Sequence, residues 1–321
     1  MIHFIKKLFT GETIDNPEEK QAQAEEKHFD ILKYDGIRAL RIGKFPYAVK
    51  CMEEALSIKD DAETRGYLVS AYVQLNQIED ACKLLGETLE KEPQNIDNYI
   101  MLGNLFFMQE DYKGMLGVIQ RGAQIEPEHP QIHYLLAKAY HGIHDEIQAI
   151  AELTIAISLK EDYYEAYLMR ATILLKMQQI ENASEDAERM FQLAPDDEQS
   201  LLMLGEVNYM KGDTLKAEEY FNKATDINPF NEKAYLSIIQ ILSEEKKWEQ
   251  AMEKLNEAIE INPESSQLYH HRGHLKLLMG DKEGSAEDLK KSLELNPEKE
   301  QQISGEFRNY TNPYKINNPL G

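Results

Sequence analysis

The sequence predicts an all-α fold of eight tandem helix-turn-helix repeats that stack into a solenoid, and two periodic series carry this prediction. The first series consists of prolines at an interval of 34 residues with one member missing: Pro93, Pro127, Pro195, Pro229, Pro263 and Pro297. The second series runs from Ala81 to Ser285 at the same constant interval. Because the two registers run in step, one structural unit is repeated along the chain.

Each unit is expected to contain two helices. Between the prolines, apolar residues recur at helical spacing in two bursts separated by a polar turn, as in residues 201–229. The proline follows the second helix, where its ring prevents continuation and its missing N–H costs little. Small residues such as Ala217, together with Gly103, Gly205 and Gly273, let neighbouring helix backbones come close. These positions therefore belong to packing rather than to chemistry.

The two registers place the repeats and leave a short segment at each end. Residues 1–28 form an N-terminal amphipathic segment and a leading helix, with Asn16 as the expected N-cap and Pro17 in the first turn. We expect this helix to continue without a break into the first repeat. Residues 300–321 form a short cap and a tail rich in Asn and Pro, which cannot hold regular structure by itself. The repeats span residues 29–61, 62–95, 96–129, 130–163, 164–197, 198–231, 232–265 and 266–299.

The first ten residues have two interpretations. Their apolar side chains fall on one helical face beside Lys6 and Lys7, which is typical of a weak membrane-surface helix or of a segment that docks on a partner. Two lysines anchor a helix poorly to a membrane, and the acidity of the chain opposes binding to an anionic bilayer. Docking on a partner or absence of regular structure is therefore favoured over membrane binding.

Composition excludes several classes of protein. The formal net charge is -22, from 57 acidic against 35 basic residues, so a phosphate backbone would be repelled and no nucleic-acid partner is expected. No stretch approaches the roughly 18 consecutive apolar residues of an integral membrane segment. Cys51 and Cys82 have no metal-binding spacing, and no signal peptide is recognised, which together indicate a cytoplasmic protein with reduced thiols.

The chain resembles the tetratricopeptide repeat family, whose 34-residue unit has Leu-Gly in the first helix, Ala and Phe in the second, and Pro at its end. The sixth repeat is the best match and carries Leu204, Gly205, Ala217, Phe221 and Pro229. The resemblance implies a right-handed superhelix whose first helices line a concave groove. It specifies the fold far more closely than the function.

The resemblance also implies which residues face that groove. In this family they are usually the second, fifth, ninth, twelfth and thirteenth residues of a repeat. The resulting surface mixes aromatic and methionine side chains with single polar groups, which suits a protein or peptide partner. The expected partner-binding residues are Lys33, Ile37, Gln74, Asn104, Phe107, Met108, Tyr134, Lys138, His141, Thr172, Lys176, Glu206, Tyr209, Met210, Gln240, His270 and His274.

Two known binding modes of the family are not expected here. The carboxylate clamp, in which cations and amides hold a terminal carboxylate, is matched only by Lys33. Its other places hold Ile37, Tyr67, Asp97 and Met101. An asparagine ladder that grips a peptide backbone would need Asn at the sixth position of many repeats, where this chain has none.

No enzymatic activity, cofactor or metal is expected. The sequence has no glycine-rich phosphate loop, no HExxH and no GxSxG. His270 and His274 are four residues apart, so they share one helical face and resemble a pair of metal ligands. A zinc site needs three or four convergent ligands, and neither this group nor the histidines around His141 supplies that number from one face.

The sequence therefore favours a non-catalytic scaffold or adaptor that binds a protein or peptide segment in the groove. Two alternatives stay open. One is a structural element that assembles through self-association, with the groove masked by its own C-terminal tail. The other is a metal-binding module centred on His270 and His274.

Overall fold

The computed structural model describes residues 17–296, which form sixteen α-helices and no β-strand. None of the helices in this part of the chain is both long and apolar enough to cross a membrane. In chain order the helices are α1 (Pro17–Arg41), α2 (Phe45–Ile58), α3 (Ala62–Gln74), α4 (Ile78–Lys91), α5 (Ile96–Met108), α6 (Tyr112–Ile125), α7 (Pro130–Gly142), α8 (Glu146–Leu159), α9 (Tyr164–Lys176), α10 (Ile180–Leu193), α11 (Glu198–Met210), α12 (Thr214–Ile227), α13 (Glu232–Glu244), α14 (Trp248–Ile261), α15 (Ser266–Leu278) and α16 (Lys282–Leu295).

The chain divides into two compact units, Met1–Ala166 and Tyr167–Gly321. In the first unit, each helix from α1 to α8 packs on the next helix along the chain, and α5 also touches α7. In the second unit, the same succession runs from α10 to α16. Because each helix contacts only its near neighbours in sequence, each unit is an α-solenoid rather than a globule around one core. The predicted all-α solenoid is confirmed.

The leading helix α1 runs unbroken from Pro17 to Arg41, as predicted. Its Phe29 is buried, and the Nζ atoms of Lys59 and Lys33 lie 5.1 Å and 5.8 Å from the centre of the Phe29 ring. The other expectations for the chain ends concern Asn16, the first ten residues and residues 300–321, all of which lie outside the described residues.

The turn inside each helix pair contains one residue with left-handed backbone geometry. The N–H of the next residue then bonds to a carbonyl five residues earlier, as between Lys247 and Leu242 at 2.8 Å, and this contact closes the first helix of the pair. Glycine occupies only three of these positions in the described chain, so the sequence alone does not reveal the series. The residues are Gly43, Asn76, Glu110, His144, Gln178, Gly212, Lys246 and Gly280.

The series of residues that the sequence assigned to helix packing is buried. Ala81, Met115, Ala149, Ala183, Ala217 and Ala251 are fully buried, and Ser285 is nearly so. The predicted role of Gly205 in close approach is also confirmed. A Cβ atom added at Gly205 would lie 2.5 Å from Cε1 of Phe221, which is itself buried. The ring of Phe221 therefore fills the space that only glycine leaves open.

A buried ion pair recurs at equivalent positions of two repeats in the second unit. Arg170 on α9 donates two hydrogen bonds, of 2.9 Å and 2.6 Å, to the carboxylate of Asp186 on α10. Arg272 on α15 donates two hydrogen bonds of 2.8 Å to Asp288 on α16. Both carboxylates are buried, so each pair fixes a first helix to a second helix through two parallel hydrogen bonds.

Candidate functional site

The second unit contains a cavity of about 360 Å³ between its first helices, α9, α11 and α13. Its wall is mostly apolar, with Leu175, Tyr209, Met210 and Phe221 among the lining side chains. Six of the predicted partner-binding residues line it together: Thr172, Lys176, Glu206, Tyr209, Met210 and Gln240. The structure thus gathers residues from three repeats into one concave apolar surface.

Hydrogen bonds fix the polar side chains around this cavity. The phenol of Tyr209 donates to the Glu244 carboxylate at 2.7 Å, and Gln240 Nε2 donates to the Tyr209 oxygen at 2.9 Å. Lys233 forms an ion pair with Glu206, which neutralises that carboxylate. Lys176 makes no ion pair with a described residue. The Tyr209 ring is therefore held in place before anything binds, which lowers the entropy cost of binding.

The first unit contains a more polar cavity of about 540 Å³. Asn104 on α5, with Tyr134 and Lys138 on α7, contributes to its wall, and all three were predicted to face a partner. The rings of Tyr134 and Tyr163 lie 5.2 Å apart between centres. Lys138 Nζ lies 3.5 Å from the centre of the Phe107 ring, so Phe107 belongs to the same surface. Aromatic faces and ammonium groups therefore alternate along this cavity.

Burial changes the ionisation of the side chains in this first cavity. It raises the pKa of Tyr134, and the charge of Glu165 adds to the shift. Burial, together with the neighbouring Tyr134 and Glu165, raises the pKa of Tyr163 to about 12. Burial also lowers the pKa of Lys138, because the charged ammonium loses hydration that no carboxylate replaces. The two phenols stay neutral at physiological pH and can donate hydrogen bonds.

Ile37 does not lie on a lining surface, and this corrects the prediction. Its side chain is buried in a cluster with Ala39, Ala48, Met52 and Leu68, so it belongs to the core of the first unit. The physical reason is that the neighbouring helices α2 and α3 cover this face of α1.

Lys33 already forms ion pairs with two carboxylates of the same chain. Its Nζ lies 2.9 Å from Asp61 and 2.6 Å from Glu63. Burial opposes the charge of Lys33, but the hydrogen bonds to Glu63 and Asp61 outweigh it and raise the pKa. His141 is likewise paired, with its Nδ1 2.6 Å from Glu146. Both side chains would have to give up an existing contact to bind a partner.

The remaining predicted residues are accessible. Gln74 is exposed at the end of α3, and the side chain of Met108 at the end of α5 is 56% exposed. His270 and His274 share a face of α15, with Nε2 atoms 3.2 Å apart. Burial lowers the pKa of His274. Within residues 17–296, no group of three or more His, Cys, Asp or Glu side chains is placed to hold a metal ion.

Several cavity residues were missed by the sequence analysis. Gln131, Glu165 and Lys233 each occupy the second position of a repeat, so applying the groove positions to every repeat would have found them. Lys160 and Tyr163 lie in the loop between repeats, where those positions give no signal. Loop residues can be assigned to a cavity only after the neighbouring helices are in place.

Comparison with protein families gives three matches. Residues 74–156 match the model of anaphase-promoting complex, cyclosome, subunit 3. Residues 168–232 and 266–299 match models of the tetratricopeptide repeat. A solved tetratricopeptide repeat protein from Parabacteroides merdae has a TM-score of 0.54 at 16% identity, covering 86% of this chain and 96% of that one.

Two curated relatives are similar over part of their length. RNA polymerase II-associated protein 3 of Mus musculus is 27% identical over 106 residues, which is 33% of this chain and 16% of the relative. The protein O-mannosyl-transferase TMTC1 of Homo sapiens is 20% identical over 201 residues, which is 62% of this chain and 19% of the relative. The chain therefore spans less than a fifth of either relative.

Proposed function

The chain belongs to the tetratricopeptide repeat family, and from this premise we propose that it is a cytoplasmic, non-catalytic scaffold or adaptor. Its partner is a protein or peptide segment that lies on the surface formed by the first helices of the repeats. The single observation that carries the proposal is the apolar cavity of the second unit, to which three repeats contribute Thr172, Glu206 and Gln240. Such a surface gives affinity through buried apolar anchors and orientation through a few polar groups.

The size and chemistry of this cavity support a peptide as the ligand. A volume of about 360 Å³ suits one or two large side chains of a partner. Met210 can adapt to the shape of an apolar anchor, whereas Tyr209 is held by Glu244 and Gln240 and offers a fixed ring. The combination favours a segment with an aromatic or aliphatic anchor.

The names of the relatives support binding to other proteins. The similarity to a transferase does not change the proposal of a non-catalytic chain. One match is named as a subunit of a complex and one as a polymerase-associated protein. TMTC1 is named as a transferase, but the alignment covers 19% of it, and this sequence has no glycine-rich phosphate loop, no HExxH and no GxSxG motif. We therefore propose no transfer activity for this chain.

Blocking the cavity tests the proposal. Ser237 lines it and is partly buried, so Ser237→Arg places a long cation in the cavity without removing a core side chain. Gln250→Arg makes the same change of charge at an exposed position of α14 that does not line the cavity. Affinity capture from native lysate should recover the same partners with the wild type and Gln250→Arg, but not with Ser237→Arg. Equal recovery with all three would remove the second-unit cavity from the proposal.

One observation favours self-association as a second candidate function. All seven exposed side chains of α8 are uncharged, among them Ile147, Ala151, Ile155 and Leu159. In a chain with a net charge of -22, an uncharged helix face is where two copies can approach with least repulsion. Light scattering over a range of concentrations tests this. Ile147→Lys with Ile155→Lys should abolish a concentration-dependent dimer, whereas Leu215→Lys, at an exposed position of α12, should not.

A further inference from the structure

Lys138 is exceptional among the lysines of the described chain. The other partly buried lysines, Lys33, Lys247, Lys254 and Lys276, each form an ion pair with at least one carboxylate. Lys138 forms none with a described residue, although its ammonium is half-buried between aromatic rings. Its Nζ lies 3.5 Å from the Phe107 ring centre and 5.9 Å from that of Tyr134. A charge that is partly desolvated and left without a counterion is held ready for a ligand of opposite charge.

The surroundings of Lys138 add polar groups without partners. Lys160 Nζ lies 4.7 Å from the Tyr163 ring centre and makes no described ion pair. His129 Nδ1 is buried and has no hydrogen-bond partner. Asn104 and Gln131 bring amides to the same cavity, and Glu165 is the acidic side chain in its lining. The charged groups in the lining are thus two ammonium groups and one carboxylate.

We infer that the first-unit cavity takes a single acidic side chain of a bound peptide, with its carboxylate on Lys138 and Asn104. An apolar neighbour of that acidic residue packs on the Tyr134 and Tyr163 rings. The inference rests on the proposed function, since it names the residue type that the partner presents to the first unit. It is also separate from the carboxylate clamp, whose positions hold Ile37, Tyr67, Asp97 and Met101 in this chain.

The net charge of the chain limits the partner to one acidic residue at this site. Electrostatic effects of exposed charges fade beyond about 8 Å at physiological ionic strength. One carboxylate in contact with Lys138 therefore responds mainly to the lining of the cavity. A run of acidic residues would extend over the surrounding surface and meet the field of a chain with net charge -22. The partner segment is thus neutral or basic apart from this residue.

Two capped tetrapeptides that differ in one group test the inference. They are acetyl-Gly-Phe-Glu-Gly-amide and acetyl-Gly-Phe-Gln-Gly-amide, titrated against the full chain carrying ¹³C-labelled lysine. The Phe107 ring should shift the side-chain signals of Lys138 upfield, and Lys138→Met assigns them by their loss. We expect the Glu peptide to bind about tenfold more tightly than the Gln peptide, as a charge-assisted hydrogen bond implies.

Matched variants decide the role of Lys138. Lys138→Met keeps an aliphatic chain between the rings, so it should equalise the two affinities without unfolding the protein, which circular dichroism checks. Lys113→Met, at an exposed position of α6, should preserve the tenfold preference. The inference is overturned if the wild type does not distinguish the peptides, if neither peptide moves the Lys138 signals, or if the preference survives in Lys138→Met.

Two further comparisons distinguish the inference from binding of a chain terminus and from failure of the proposed function. A peptide with a free C-terminus, acetyl-Gly-Gly-Phe, should bind more weakly than the Glu peptide. Stronger binding would assign the cavity to a chain terminus and overturn the side-chain assignment. Failure of any of these arms leaves the proposed function intact as long as Ser237→Arg still abolishes partner capture. Loss of the proposed function would appear instead as equal capture by the wild type and Ser237→Arg.

Discussion

Adding one methyl group at Gly205 tests the packing argument directly. In Gly205→Ala the new Cβ would lie 2.5, 2.7 and 2.8 Å from three ring atoms of Phe221. Phe221 is only 2% exposed, so its ring can relieve the contact only by leaving its packed position and moving toward the cavity that it lines. Overpacking of this kind costs about 3 kcal/mol at the upper end of its usual range. Alanine recovers about 1 kcal/mol through its higher helix propensity. We therefore expect a net loss of about 2 kcal/mol in the free energy of unfolding.

Urea denaturation followed by the fluorescence of Trp248, the single tryptophan, measures this loss within the second unit. The control is a double-mutant cycle with Phe221→Leu, which shortens the ring that the methyl group meets. In that background Gly205→Ala should lower the free energy of unfolding much less, so the cycle should give a coupling energy between positions 205 and 221. A second control, Gly117→Ala in helix α6 of the first unit, meets no atom within 4 Å and should stabilise that unit by about 1 kcal/mol, followed by circular dichroism because Trp248 lies in the second unit. If Gly205→Ala stabilises the protein as Gly117→Ala should, or shows no coupling with Phe221, the reasoning is refuted.

Three further predictions concern the turns, the buried ion pair and the histidine pair. Lys246 has a φ of 59°, so Lys246→Gly should stabilise the second unit by about 1 kcal/mol in urea denaturation, and a destabilised variant would contradict the assigned geometry. Arg272→Leu leaves the buried Asp288 carboxylate with Lys276 alone, so it should cost about 2 kcal/mol, and an unchanged unfolding midpoint would argue against the pair. Burial lowers the pKa of His274, so the unfolded chain takes up its proton first as the pH falls below about 6.5. The wild type should therefore lose more stability than His274→Gln between pH 7.5 and pH 5.5, and equal losses would show that this imidazole is not the cause.

The sequence by itself determined the fold class and part of the candidate lining. A period of 34 residues can be recognised because every repeat packs its helices with small and apolar residues at the same positions. The burial of Ala217 and the contact between Gly205 and Phe221 follow from that periodicity. The groove positions of the family also predicted residues such as Tyr209 and Lys138, which the structure places in the two cavities.

Only the tertiary structure decided what each of those side chains can do. Lys33 and Lys138 were equivalent as predicted groove cations, but α3 brings Asp61 and Glu63 to Lys33, whereas aromatic rings surround Lys138. Ile37 was predicted as lining and is buried by neighbouring helices. The physical reason is that burial and charge pairing depend on residues that lie roughly one repeat away in sequence. A periodic pattern gives the direction of a side chain, but not the neighbour that it meets.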